Sequence, residues 1–301
     1  MQQEKRQELY AALLAGAQRK IAKIGFNDTG IPGFHAVCRT QVGEARLFLN
    51  RFVSVILQGR KSKTLNGRIV EYGAGDCVVN CIDIPTDSVI ENASPEKPFV
   101  SLVLDLDRSM LTDLALEMAQ NGQANNCEDV RTLLVEKCPD ALAENFMRLL
   151  DLADRPEEIQ LLAPMIKREI HARLLLSDMG PSIRSVHAYG TRANQIAQAV
   201  TIIRENFRQS INMEELANRV NMSPASFHRH FKAFTGCSPL RYQKELRLHE
   251  ARRALALGQK AVSSVAFELG YASTSQFASD YKGFFGVTPK QEAMASNSSV
   301  G

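Results

Sequence analysis

SPASFHRHFKAFTG occupies Ser223–Gly236, and STSQFASDYKGFFG occupies Ser273–Gly286. Aligned end to end, the two stretches share Ser223 with Ser273, Phe227 with Phe277 and Lys232 with Lys282. Phe231 answers to Tyr281, Phe234 to Phe284 and Gly236 to Gly286, and Pro239 and Pro289 follow at equal distances. Internal repetition at a fixed spacing outranks other signals, yet two copies are too few for a solenoid. Ahead of the first copy, INMEELANRVNM offers Asn212 as an N-cap with Glu215 as its capping-box partner, then a short apolar stripe of Leu216, Ala217 and Val220. Ser223 caps a second helix, and Pro224 stands in its first turn, where a missing amide costs nothing. Ahead of the second copy, AVSSVAFELGYA repeats the scheme with Val262, Val265, Ala266 and Leu269, Gly270 as a turn residue able to take positive φ, and Ser273 as the cap. Both stretches predict helix-turn-helix units.

The second helix of each unit has an inside and an outside. Phe227, Phe231 and Phe234 fall at i, i+4 and i+7, a stripe that must pack inward. Ala225, Arg229 and Lys232 then lie on the opposite face with His228 at its edge; Ser275, Ser279 and Lys282 correspond, with Ala278 at the edge. Short side chains with Arg and Lys suit entry into a major groove, Arg229 able to give two hydrogen bonds to a guanine edge and the lysines suited to phosphates. Between the units, PLRYQKELRLHEARRALALG predicts one helix over about Pro239–Leu257 with Leu240, Leu248, Ala251 and Leu255 in its buried stripe and Gly258 as its stop. Such a strut would hold two reading helices at fixed separation, and successive major-groove faces on one side of DNA lie ~34 Å apart.

Composition agrees. The 301 residues suit two domains, with 45% hydrophobic and 23% charged content typical of globular chains. From Arg192 onward, 14 Lys and Arg face 8 Asp and Glu, a net +6, whereas the remainder carries −3. A basic third on a mildly acidic remainder suggests a polyanion-binding module joined to something else. The opening MQQEKRQELY has no apolar stretch and no run approaches a spanning helix, so neither a secretory signal nor a membrane span is expected and the expected location is cytoplasmic. The six cysteines, Cys38, Cys77, Cys81, Cys127, Cys138 and Cys237, show no disulfide or zinc spacing and are expected to be reduced thiols.

The pattern LA..V.MS...F.R.FK..TG.SP, the Arg247…Ala251…Leu255 helix, and A...GY.S.S.F...YK..FG.TP together resemble the AraC/XylS DNA-binding domain over roughly Gln195–Glu292, with Ile196, Val200, Ile203 and Phe207 supplying its first helix. The resemblance implies a bacterial, sequence-specific transcription factor that binds double-stranded promoter DNA and works with RNA polymerase. It places base contacts at Ala225, His228 and Arg229 and at Thr274, Ser275 and Ala278 or Ser279. The family often carries Arg where this chain has Ser279, and Asp280 follows. A serine cannot make the bidentate guanine contact, so the first unit is expected to dominate readout, the second clamping through Lys282 and backbone amides.

Upstream, ARLFLNRFVSVILQG, KTLNGRIVEYGAGDCVVNCI and FVSLVLDLD read as strands between turn signals, Asn66-Gly67 among them, and predict a small barrel or sandwich. RSMLTDLALEM, ALAENFMRLLDLAD and EEIQLLAPMIKREIHARLLLSD then read as helices, with Leu142, Phe146, Leu149 and Leu150 on one face. This portion, roughly Gly30–Gly180, resembles the N-terminal domain of one AraC-type subclass. That implies a cupin-like jelly-roll barrel with appended helices, sensing a small-molecule effector and possible as a homodimer contact. The expected class is thus α+β: a cupin-like effector domain over 1–178, a linker over 179–192 marked by Gly180-Pro181 and Gly190, and an all-α double helix-turn-helix domain over 193–301.

No histidine falls between Ala45 and Asp107, and His35 and His171 stand apart, so no metal or other cofactor is expected and each histidine reads as structural or surface. Cys77 and Cys81 share strand parity with Val79; if that face is the barrel interior, two thiols line an effector pocket, and otherwise they are small buried fillers. An enzyme would need a metal set or a nucleophile-base pair, and Ser88 and Ser101 have no histidine near them in sequence, so none is expected. An architectural DNA-binding protein without ligand control is the remaining alternative; it would bind many sequences alike, whereas a regulator discriminates by ~10³-fold or more. The tail ASNSSVG is expected to be disordered.

Overall fold

The computed structural model describes residues 2–65, 67–121, 130–258 and 260–297. Asn66, Cys127 and the last four residues of the ASNSSVG tail, each the object of an expectation above, lie outside the described residues. In chain order the elements of the first part are α1 (Gln2–Arg19), β1 (Gly25–Asp28), β2 (Phe34–Arg39), β3 (Gly43–Leu49), β4 (Phe52–Gln58), β5 (Arg60–Leu65), β6 (Arg68–Gly73), β7 (Asp76–Asn80), β8 (Ile84–Asn92), β9 (Phe99–Asp105), α2 (Arg108–Gln120), β10 (Leu133–Lys137), α3 (Asp140–Leu152), α4 (Pro156–Leu176) and α5 (Gly180–His187). The second part holds α6 (Arg192–Asn206), α7 (Met213–Arg219), α8 (Pro224–Thr235), α9 (Pro239–Ala256), α10 (Val262–Glu268), α11 (Thr274–Phe285) and α12 (Pro289–Asn297). The class is α+β, as the sequence predicts.

Two compact units divide the chain: Met1–Ala45, Leu49–Asp83 and Asp87–Asn194 form one, and Gln195–Gly301 with Arg46–Phe48 and Ile84–Thr86 the other. In the first unit a six-stranded sheet runs β1-β2-β9-β4-β7-β10 and a four-stranded sheet runs β3-β8-β5-β6. Side chains from both sheets meet in one apolar cluster, Phe52, Ile56, Val78, Phe99 and Leu133 from the larger and Tyr72 and Ile90 from the smaller. The β5–β6 hairpin closes at the Leu65↔Arg68 pair with Gly67 at φ 71°, the left-handed turn geometry that glycine takes without strain.

The outer face of the larger sheet is not left to water. Helix α1 packs on β4, β9 and α3, burying Leu13 and Ala17 completely, while Arg6 on the same helix reaches Asp140 Oδ1 at 2.7 Å and the Cys138 carbonyl at 2.9 Å. Neither α1, β1, β2 nor β10 is foreshadowed by the sequence reading. Leu142, Phe146, Leu149 and Leu150 on α3 are buried, as their spacing predicts. His171 on α4 is structural: Nδ1 lies 2.6 Å from the Lys167 carbonyl while Nε2 accepts from the Asp107 amide at 2.9 Å, fixing a neutral ring.

The stretch 179–192, expected to be a linker, is mostly helix. Ile183, Val186 and His187 of α5 are buried, and α5 packs on α2 and α4. Two signals misled. Pro181 stands in the first turn of α5, where proline starts a helix rather than ending one. Gly180 is there for close approach: a Cβ would lie 2.1 Å from the Leu175 carbonyl oxygen.

Candidate nucleic-acid interface

Each helix-turn-helix is held at its corners by hydrogen bonds that its own sequence specifies. The Asn212 side chain accepts from the amides of Glu214 (3.0 Å) and Glu215 (3.3 Å) to start α7. The helix ends in a Schellman turn: the Met222 amide returns to the Ala217 carbonyl and that of Asn221 to Asn218, with Asn221 in the left-handed region at φ 56°. Ser223 then caps α8 by accepting from Ser226 N, and Gly236 closes it at φ 88°. In the second unit Tyr271 returns to Ala266 and Gly270, at φ 81°, to Phe267; Ser273 caps α11 through Gln276 N, and Gly286 closes it at φ 79°. Such a side-chain cap contributes about 1 kcal/mol.

The repeat is not uniform. The Schellman donors Met222 and Tyr271 correspond, but Ser223 follows Met222 directly whereas Ala272 intervenes before Ser273. The turn of the second unit is therefore one residue longer. It is also tighter against its surroundings: a Cβ on Gly270 would lie 1.9 Å from the Arg208 carbonyl oxygen, so that position excludes every side chain on steric as well as conformational grounds.

Helix α9 ties the two units to one core. Gln243 Nε2 donates to the carbonyls of Phe207 (3.0 Å) and Gln209 (2.6 Å), and Arg247 donates to Phe207, Gln209 and Gly270. Tyr242 meets Phe231 of α8 edge-on with centroids 5.4 Å apart; two turns later His249 meets Phe284 and Phe285 of α11, each at 5.4 Å. Burial, with the charge of Arg252 nearby, lowers the pKa of His249 to about 4. Phe227, Phe231, Phe277 and Tyr281 are fully buried, Phe234 and Phe284 only partly. Leu240, expected in the buried stripe of α9, is 61% exposed; Tyr242 and Leu246 take the inward positions beside Leu248, Ala251 and Leu255.

The outward faces carry the residues singled out from sequence. Ala225, His228, Arg229 and Lys232 on α8 are exposed, as are Ser275, Ser279 and Lys282 on α11, while Thr274 and Ala278 are half-buried. Among the described residues, Lys232 and Lys282 have no carboxylate partner. Arg229 Nη2 lies 3.4 Å from His230 Nε2. Asp280 faces the strut, where Lys244 Nζ holds it at 2.6 Å and neutralises it. The sequence reading missed that pair, since the two residues lie on different helices.

In the first unit Cys77, Val79 and Cys81, expected to line an effector pocket, are not members of the apolar cluster between the two sheets. Val78, not Cys77 or Val79, joins the cluster between the sheets. Cys77 turns the other way, near the Cys138 thiol, with Tyr10 of α1 beside that second thiol. The nearby Cys138, with burial, raises the Cys77 pKa, and burial pushes Cys81 to about 12. Protonated buried thiols are poor nucleophiles, and Cys77, Val79 and Cys81 are all buried. The parity failed because β7 is buried on both faces. Among the described residues no three His, Cys, Asp or Glu are grouped to hold a metal, and no helix is long and apolar enough to cross a membrane.

A doubled helix-turn-helix on one strut, with a two-sheet unit ahead of it in the chain, defines a class of multidomain DNA-binding-type proteins. The family model of the AraC-type transcriptional regulator N-terminus matches residues 30–182, and that of a helix-turn-helix domain matches 216–293. The chain belongs to the AraC/XylS family of transcriptional regulators. Among its relatives, the HTH-type transcriptional regulator GbdR of Pseudomonas aeruginosa is 30% identical over 144 residues, 48% of this chain and 39% of that protein. The chain thus spans less than half the length of the first curated relatives it matches. The thermoregulatory protein LcrF of Yersinia pestis is 23% identical over 82% of this chain and 90% of its own. ToxT from Vibrio cholerae O395, solved bound to (E)-4-(8-methylnaphthalen-1-yl)but-3-enoic acid, matches with a TM-score of 0.62 at 14% identity, covering 87% of this chain and 98% of that one, a likeness of fold.

Proposed function

We propose that this chain is a sequence-specific DNA-binding regulator of transcription whose activity is set by a small molecule bound in the two-sheet unit. The observation that carries the reading is the pair of outward helix faces, each fixed by its own caps and each free of structural duty. Ala225, His228 and Arg229 read base edges from α8; Thr274, Ser275, Ala278 and Ser279 do so more weakly from α11; Lys232 and Lys282 meet phosphates. Strut α9, 18 residues long, spans roughly 27 Å at 1.5 Å per residue, of the order needed to address adjacent major-groove faces. Effector control is supported by the family of the first unit and by the bound acid of its fold neighbour ToxT. The chain acts without catalytic chemistry of its own, in the cytoplasm, on promoter DNA in concert with RNA polymerase, and as a homodimer. A purified full-length chain incubated with a random DNA pool should enrich one motif with two half-sites, and competitor DNA should fail to displace it at ~10³-fold excess. Enrichment of nothing, with binding abolished by moderate salt on every sequence, would leave the architectural alternative standing.

A further inference from the structure

The interior between the two sheets holds a lysine that, among the described residues, has no ionic partner. Lys63, in the middle of β5, is 3% exposed. It stands opposite Ser88 of β8 and Val70 of β6, and opposed residues of an antiparallel pair share a face. Its ammonium lies 4.8 Å from the centre of the Phe52 ring and 5.7 Å from that of Tyr72, both members of the inter-sheet cluster. Two residues earlier on the same face, Lys61 holds Nζ 5.7 Å from the Phe99 ring. Among the described residues neither lysine has a carboxylate or hydrogen-bond partner. Burial lowers both; the charge of Arg39 adds to it at Lys61, which falls to about 8, and the charge of Lys61 adds to it at Lys63. The Ser88 hydroxyl, 2% exposed, also lacks a hydrogen-bond partner among the described residues. Ring faces recover only part of what burying an unpaired cation costs. The composition of the interior is therefore that of a half-built ion pair in an aromatic sleeve. Tyr72 also lines an outer cleft of about 630 Å³ with Arg60, Glu71, Asp76, Asn92 and Lys97.

We propose that this interior binds a carboxylate-bearing amphiphile, its anionic end met by Lys63 with Lys61 and the Ser88 hydroxyl beside it, and its apolar body packed on Phe52, Tyr72 and Phe99. The regulatory meaning of this site rests on the effector role proposed above; the binding itself does not.

The test uses the full chain and cis-parinaric acid, whose fluorescence reports entry into apolar surroundings, against its methyl ester. The acid binds at least tenfold tighter than the ester, and Lys63→Met brings the two within twofold of each other while leaving the thermal midpoint equal or higher. Ser88→Ala, a smaller change that keeps the fold, weakens the acid about threefold and leaves the ester alone. Equal binding of acid and ester, no binding of the acid, or undiminished acid preference in Lys63→Met overturns the proposal; so does displacement of the probe by equimolar inorganic phosphate, which would mark a site for bare anions. Retention of the motif-selected DNA, measured in parallel, separates the two readings. Acid selectivity without sequence-selective DNA binding sinks the regulator and keeps the site; the reverse keeps the regulator and sinks the site.

Discussion

The two helix-turn-helix units share a plan and differ in how much each is asked to read. Their caps agree nearly bond for bond, from Ser223 and Ser273 to Gly236 and Gly286. Their outward faces do not: the first offers Arg229 and His228 where the second offers Ser279 and Ala278. The second also spends its acid, Asp280, on Lys244, and carries an extra turn residue, Ala272. Local hydrogen bonding fixes the shape of each unit, and surface chemistry then diverges without disturbing it.

The comparison breaks most visibly at the turns. Gly270→Ala forces a Cβ against the Arg208 carbonyl and a left-handed φ on a residue that resists it, and should cost about 3 kcal/mol or more of stability of the helical unit. Asn221→Gly, at the matching corner, should change stability by about 0.5 kcal/mol or less. Denaturant titration followed by far-UV circular dichroism compares the two.

Acid separates the units next. Folded His249 stays neutral down to about pH 4, whereas in the unfolded chain it takes a proton near its ordinary value of 6.5. Between those limits the unfolded state binds more protons, so stability falls as pH drops from about 6.5 to 4 and then levels off, by up to about 3 kcal/mol from this group. Because His249 packs on α11 and Tyr242 on α8, hydrogen exchange at pH 5 should speed up in α11 before α8. His249→Phe should remove that part of the slope.

On DNA, Arg229→Ala should weaken binding to the selected motif by ~1–3 kcal/mol and relax one base position, with Ser279→Ala well below it. A gel-shift series on single-base variants decides the order, and a larger loss from Ser279→Ala would reverse the ranking of the two units. The smallest effect is expected of the lysines. Lys232→Ala and Lys282→Ala should each lower the salt slope by about 1 without changing sequence preference.

What the sequence made legible follows the range of the interaction involved. Caps, turns and the phenylalanine stripe are local, and Ser223, Gly236 and their counterparts announce them within a few letters. The extra residue Ala272 stayed hidden because the fourteen-residue match begins just after it. Asp280–Lys244 and the Gln243 and Arg247 anchors join residues far apart in the chain, and no spacing rule connects them. In the two-sheet unit, strand existence was readable while strand facing was not. With α1 covering the outer surface, both faces of β7 are apolar, so parity alone could not say whether Cys77 or Val78 looks inward. Lys63 went unnoticed for the opposite reason: a lysine in a strand ordinarily marks a wet face, and only the three-dimensional packing shows this one to be dry.

Because the corner bonds of each unit are supplied by serine, asparagine and glycine at its ends, the letters on its outer surface carry no folding duty. Ala225, Arg229, Ser275 and Ser279 can therefore be exchanged freely as far as stability is concerned. Descendants of such a chain can acquire new genomic addresses one substitution at a time, without passing through a form that fails to fold.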